Sequence, residues 1–127
     1  MCIRDRDITP EKLLICHLDR TYHDIDYHKE VLSTGCFLCY DSIHRLKYLS
    51  EQEEMELLCA MKQSGLTGQI VLSLDTTNQR LRSYYAEDMG LDYILTTFVP
   101  QLREHGFTDQ EIRQMCITNA RTILDFA

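Results

Sequence analysis

Three residues able to bind metal or move protons stand at the ends of three apolar runs. Leu13-Leu14-Ile15-Cys16 runs into His17, Cys36-Phe37-Leu38-Cys39-Tyr40 into Asp41, and Gln69-Ile70-Val71-Leu72-Ser73-Leu74 into Asp75. Imidazole and carboxylate suit a zinc or manganese site, and a carboxylate is also a proton acceptor. Each has a plainer reading when taken alone. His17 fits a strand-end histidine in a structural hydrogen bond. Asp41 and Asp75 fit the phospho-acceptor or single Mg²⁺ site of a free-standing α/β signalling or ligand-binding module.

The elements between these residues decide whether they meet. The apolar runs do not alternate with polar residues, as in strands of a parallel sheet buried on both faces. After the first run, Asp24 is placed to cap a helix carrying Ile25, His28, Val31 and Leu32 at helical spacing, which Gly35 stops. His28 reads as a packed helix residue. After the second run, Ser50 and Glu53 form a capping box. The helix it opens turns Met55, Leu58, Cys59 and Met61 inward, with Glu51, Glu53, Glu54 and Glu56 as its solvated face. The stretch from Thr76 to Met89 is polar and aperiodic, which marks a long loop. Leu91, Ile94, Leu95, Phe98 and Leu102 then recur at helical spacing, with a kink or restart expected at Pro100. Thr108 and Glu111 make a second capping box before Ile112, Met115 and Cys116, and Asn119 is expected to cap a last turn burying Ile123, Leu124 and Phe126. Strand, helix, strand, helix, strand, helices is a βαβ order with parallel strands. Such folds bind ligands at the C-terminal ends of their strands, where His17, Asp41 and Asp75 all fall.

The chain has 127 residues, 44% of them hydrophobic, enough for one domain with a core. A net charge of −7 argues against nucleic acid or an anionic membrane as a partner. No apolar run approaches the ~20 residues of a membrane helix. Without a recognisable secretory signal, the six cysteines, Cys2, Cys16, Cys36, Cys39, Cys59 and Cys116, read as reduced thiols in a cytoplasmic protein. Cys36 and Cys39 form a CxxC, but three residues apart on a strand they point to opposite faces. They read as buried small side chains. Met1-Cys2-Ile3-Arg4-Asp5-Arg6 fits nothing that follows and resembles the translation of a transposase end sequence from library preparation. Residues 1–6 are therefore expected to be a scar.

A family resemblance joins the strand ends. Cys16-His17-Leu18-Asp19-Arg20, Tyr40-Asp41-Ser42-Ile43, Leu72-Ser73-Leu74-Asp75 and Gly90-Leu91-Asp92-Tyr93-Ile94-Leu95-Thr96-Thr97-Phe98-Val99-Pro100-Gln101-Leu102 resemble the phosphotriesterase-like family of the amidohydrolase superfamily. Asn119-Ala120-Arg121-Thr122-Ile123-Leu124 resembles its Asn-Pro ending, with Ala120 in place of proline. The resemblance implies an α/β fold, with residues 7–127 forming strands 6–8 and the terminal helices of a (β/α)8 TIM barrel. It implies a hydrolase cleaving an ester or lactone, such as a phosphorylated sugar lactone or a phosphotriester, by a hydroxide bridging two divalent metals. Zinc is the first expectation, manganese or cobalt the alternatives. His17 and Asp75 would be metal ligands, one to each metal, with Asp75 also taking the water's proton. Asp19, Arg20 and Asp41 would support them.

The family's remaining ligands, an HxH pair, a carboxylated lysine and a further histidine, belong to strands before the sixth. The chain as given is therefore expected to lack a binuclear centre and turnover, which the parent protein would have. A homodimeric parent stays open. Three strands of a closed barrel leave unpaired edges, so a marginal or aggregation-prone product is expected. Arg45 and Lys47 follow the second strand, and Arg80 and Arg82 the third. Together they suggest a small-molecule substrate bearing a phosphate or acidic group. Lys47 is the first choice, because a lysine in that loop resembles the phosphate-binding lysine of sugar-lactone members. Ser83-Tyr84-Tyr85-Ala86-Glu87-Asp88 departs from the family's glycine-rich segment.

Overall fold

A computed structural model describes residues 7–78 and 90–125. The N-terminal hexapeptide, Arg80, Arg82, the 83–88 segment and Phe126 lie outside the described residues. The chain forms strands β1 (Leu14–Ile15), β2 (Phe37–Tyr40) and β3 (Ile70–Leu72), in that spatial order and all parallel. Helix α1 (Ile25–Leu32) joins β1 to β2, and α2 (Glu51–Gln63) joins β2 to β3. Beyond residue 90 come α3 (Val99–Glu104), α4 (Asp109–Arg113) and α5 (Asn119–Leu124).

Local chemistry sets the helix ends. The Asp24 side chain accepts from Tyr27 N at the start of α1. Ser50 with Glu53, and Thr108 with Glu111, form both halves of their capping boxes. Gly35 closes α1 with φ +92°, a backbone state that disfavours any side chain. All four residues of β2 are buried, as a central parallel strand requires. Leu38, Tyr40, Ile70 and Leu72 pack with Met55, Leu58 and Met61 of α2, while Phe37 and Val71 on the opposite face pack with Ile123 and Ala120.

Some expectations fail. In β1, Leu14 is exposed and Ile15 half-buried, so this strand is not covered on both faces. Glu54 is 1% exposed and belongs to the core side of α2, not its solvated face. It stands at i with Leu58 at i+4 and Met61 at i+7, all on one stripe. Leu91 and Leu95 are exposed, while Tyr93, Phe98 and Leu102 are buried. A π turn at Ile94–Phe98 runs directly into α3. It adds a residue to the turn, so the buried positions shift to a spacing of five and then four. Pro100 lies two residues after the π turn, inside this continuous helical run, where the α-helical segment restarts at Val99. Asn119 is not a cap: the helix continues through it from a second π turn at Gln114–Thr118. Its side chain instead donates to the carbonyls of Thr67 at 2.8 Å and Ile70 at 2.7 Å. Leu124 is exposed. Among the described residues no helix is long and apolar enough to cross a membrane.

Candidate metal centre

The C-terminal ends of the strands form one polar rim. His17 follows β1 with φ 63° and Asp75 follows β3 with φ 45°. Left-handed backbone at a residue other than glycine costs roughly 1–2 kcal/mol, and strain of this kind gathers at functional sites. Nδ1 of His17 stands 2.7 Å from Oδ1 of Asp41. A carboxylate only accepts, so Nδ1 carries the proton and donates, and the Nε2 lone pair is left for a metal or a proton. The Asp41 side chain is nearly fully buried (5% exposed), whereas that of His17 is 45% exposed. The aspartate is the fixed partner and the imidazole faces outward.

Asp75 is held by two arginines. Arg45 Nη2 lies 3.0 Å from its Oδ2 and donates to its backbone carbonyl at 2.6 Å. Arg20 Nη2 lies 3.8 Å from the same Oδ2 and 3.4 Å from His17 Nδ1. One nitrogen therefore neighbours both candidate ligands. Arg20 also donates from Nε to Ser42 Oγ at 3.1 Å and stacks its guanidinium 3.9 Å from the centre of the Tyr48 ring. Lys47 is exposed, with Nζ 5.3 Å from that ring. It does not join Arg45 at Asp75.

Asp19 lies behind the rim, wholly buried, and accepts from Ser42 N through Oδ2. Its Oδ1 and both oxygens of Glu54 meet no N–H or hydroxyl donor among the described residues. The two carboxyl groups instead interact with each other. A single proton shared between them is the hydrogen bond available. Burial first, and the neighbouring Asp19 charge second, push Glu54 up to about 9, so it is the protonated partner. Burial also raises Asp19, and the Ser42 backbone hydrogen bond opposes that rise. The pair was hidden in the sequence because Glu54 sits among other glutamates, although its i, i+4, i+7 relation to Leu58 and Met61 was readable.

Nearby, His28 sits wholly inside α1, its Nδ1 2.6 Å from the Tyr40 hydroxyl and its Nε2 3.0 Å from Thr21 Oγ1. Burial lowers its pKa, so it packs as a neutral residue. Cys16 and Cys39 approach each other beneath Asp41. Burial, then the Asp41 charge, raises both thiols above their ordinary value.

The model of the phosphotriesterase family matches residues 4–124. The chain belongs to the phosphotriesterase family. Its relatives include the phosphotriesterase homology protein of Escherichia coli, 31% identical over 98 residues, covering 76% of this chain and 32% of the relative. The phospho-furanose lactonase of Mycoplasmopsis synoviae is 29% identical over 122 residues, covering 92% and 35%. Among solved structures, the lactonase from Listeria monocytogenes superposes with a TM-score of 0.86 at 29% identity, covering 98% of this chain and 39% of that one. The E. coli homology protein, crystallised with phosphate in its active site, gives 0.83 at 27% identity, covering 94% and 40%. The chain thus spans about a third of the length of the curated relatives it matches. Its three parallel βα units are those of the family's barrel.

Family membership raises the question of divalent metals, and the donor set answers in part. A histidine with Nδ1 tied to a buried carboxylate, and an aspartate on a strained strand end, suit hard or borderline divalent ions. Two such donors are fewer than the three protein ligands a zinc ion usually takes.

Proposed function

We propose that this chain is the ligand-bearing C-terminal portion of a metal-dependent hydrolase acting on esters or lactones. The observation that supports it most is that one Arg20 nitrogen neighbours both His17 and Asp75, on a rim built of strained strand ends. His17 would contribute Nε2 to one divalent ion and Asp75 a carboxylate oxygen to the other, zinc being preferred. When bound, such ions polarise the scissile bond and acidify water.

The chain's own residues have separable tasks. Asp41 fixes the tautomer and orientation of His17. Arg45 and Arg20 aim the Asp75 carboxylate, whose task is to accept the proton of the attacking water. Asp19, through Ser42 N, holds the loop that carries Asp41 and Arg45. Lys47, exposed and 5.3 Å from the Tyr48 ring, is the candidate for a substrate phosphate, with Arg80 and Arg82 as further candidates. The phosphate in the E. coli relative's active site and the phospho-furanose lactonase activity of another relative support a phosphorylated lactone over a phosphotriester. A cytoplasmic setting fits the free thiols.

The isolated 127-residue chain is expected to show no turnover, because it offers one ligand to each metal. Assay of this chain, and of the protein extended by its natural upstream sequence, on a phosphorylated lactone before and after chelation tests the reading. Chelator-sensitive hydrolysis by the extended protein alone is the expected result. Hydrolysis that survives chelation, or turnover by the short chain, overturns it.

A further inference from the structure

Below the rim, on the face of the sheet that Phe37 and Val71 share, lies a cluster that the proposed hydrolysis does not use. The pairings Leu14↔Phe37 and Ile15↔Leu38 between β1 and β2, carried one residue further, set Cys16 opposite Cys39. Asp41 follows Cys39 by two residues, which returns it to the same side of the strand. One sulfur from each cysteine and one oxygen of Asp41 lie within 4.8 Å of one another. Cys16 is exposed while Cys39 and Asp41 are buried, so the cluster has a closed floor and an open mouth.

We propose that Cys16, Cys39 and Asp41 form a binding site for one thiophilic divalent cation of the zinc or cadmium class, distinct in its ligands from the His17 and Asp75 pair. Two sulfurs and one carboxylate oxygen supply three protein ligands and leave a fourth position for water. Sulfur donors select zinc-like ions over magnesium, calcium or manganese. In a tetrahedral site with Zn–S bonds of ~2.3 Å, two sulfurs stand roughly 3.8 Å apart. The cluster is therefore open by at most about an ångström, which a small side-chain rotation closes. Cys39 lies in β2, and Cys16 and Asp41 directly follow β1 and β2, so the ends of two adjacent strands set the three ligands. The carboxylate that orients His17 would also face the ion, so the two sites would meet at Asp41. The site stands on this geometry alone, whether or not the proposed hydrolysis is right.

Cadmium titration of the reduced, metal-free 127-residue chain tests it, read by near-ultraviolet sulfur-to-metal charge-transfer absorption. The band is expected to saturate at one equivalent. Cys16→Ser, at an exposed position that leaves packing intact, should weaken binding at least tenfold. Cys59→Ser should leave the band unchanged, and His17→Ala should retain it. Cys39→Ser, checked for folding by circular dichroism, should abolish the band; if it unfolds, Asp41→Asn replaces it and should weaken binding. Absence of a band, an equal band in Cys16→Ser, or loss with His17→Ala but not with Cys16→Ser overturns the proposal.

Discussion

At the N-terminal end of the sheet, Asn119 donates to the carbonyls of Thr67 and Ile70, and Gln69 Nε2 to those of Leu32 and Cys36. Lys12 reaches the carbonyls of Thr122 and Asp125. Side-chain amides and an ammonium there close the backbone groups that strands and helices leave open. At the C-terminal end, side chains face one another instead: His17 on Asp41, Arg45 and Arg20 on Asp75. Two of those residues sit in strained backbone. One end spends side chains on satisfying the main chain, and the other spends main-chain strain on aiming side chains. In βα folds the first pattern reads as stability and the second as function.

The largest test falls on the stable end. Asn119→Ala strips the side-chain donors from two carbonyls and should cost roughly 2–4 kcal/mol, since a buried polar group without a partner costs ~1–3 kcal/mol. A fall in the urea midpoint at constant m-value would show it. A loss no larger than that of a rim substitution would erase the contrast between the two ends.

The Asp19–Glu54 pair gives the next effect, and it is a pH effect. Glu54 rises from about 4.5 in an ordinary setting to about 9 when folded. Between those values the folded chain holds a proton that the unfolded chain has lost. Stability from this group is therefore complete below about pH 4.5 and disappears as pH climbs toward 9. Besides Asp19, the titratable groups acting on Glu54 among the described residues are Asp41 and Tyr40, neither of them a cation. Glu54→Gln keeps a donor for Asp19 without the titration. Urea midpoints at pH 5 and pH 8 should differ less in the variant, which should be the more stable protein at pH 8. An unchanged difference would show that Glu54 is ionised or solvated.

What the sequence made legible was local. Asp24, Ser50 with Glu53 and Thr108 with Glu111 act within three residues of themselves, so their spacing carries the whole interaction. Strands β2 and β3 were legible because burial on both faces leaves an unbroken apolar run; β1 shows the same run although Leu14 is exposed and Ile15 only half-buried. Glu54 was misplaced because its partner, Asp19, arrives from the far side of another strand. Asn119 was misread for the same reason: its acceptors lie 52 and 49 residues away. Leu91 and Leu95 failed differently. A fixed period of 3.6 cannot foresee the residue that a π turn inserts. The CxxC reading held for Cys36 and Cys39 on opposite faces, yet it looked along one strand. Cys16 meets Cys39 across two.

The smallest expected effect is also the sharpest test of the comparison. His17→Gly removes the imidazole and its hydrogen bond to Asp41, a net loss of ~0.5–1.5 kcal/mol. Glycine adds ~0.5–1 kcal/mol of unfolded-chain entropy. Against these stands relief of left-handed strain, roughly 1–2 kcal/mol. The terms nearly cancel, so the thermal midpoint should move by no more than a few degrees. A residue placed for stability cannot be exchanged so cheaply, as Asn119→Ala should show in parallel. If His17→Gly unfolds the chain, the C-terminal rim is structural and its strain is compensated by packing. If the midpoint holds while His17→Ala in the extended protein abolishes metal-dependent hydrolysis, the rim is a place where the fold gives up stability to position a ligand.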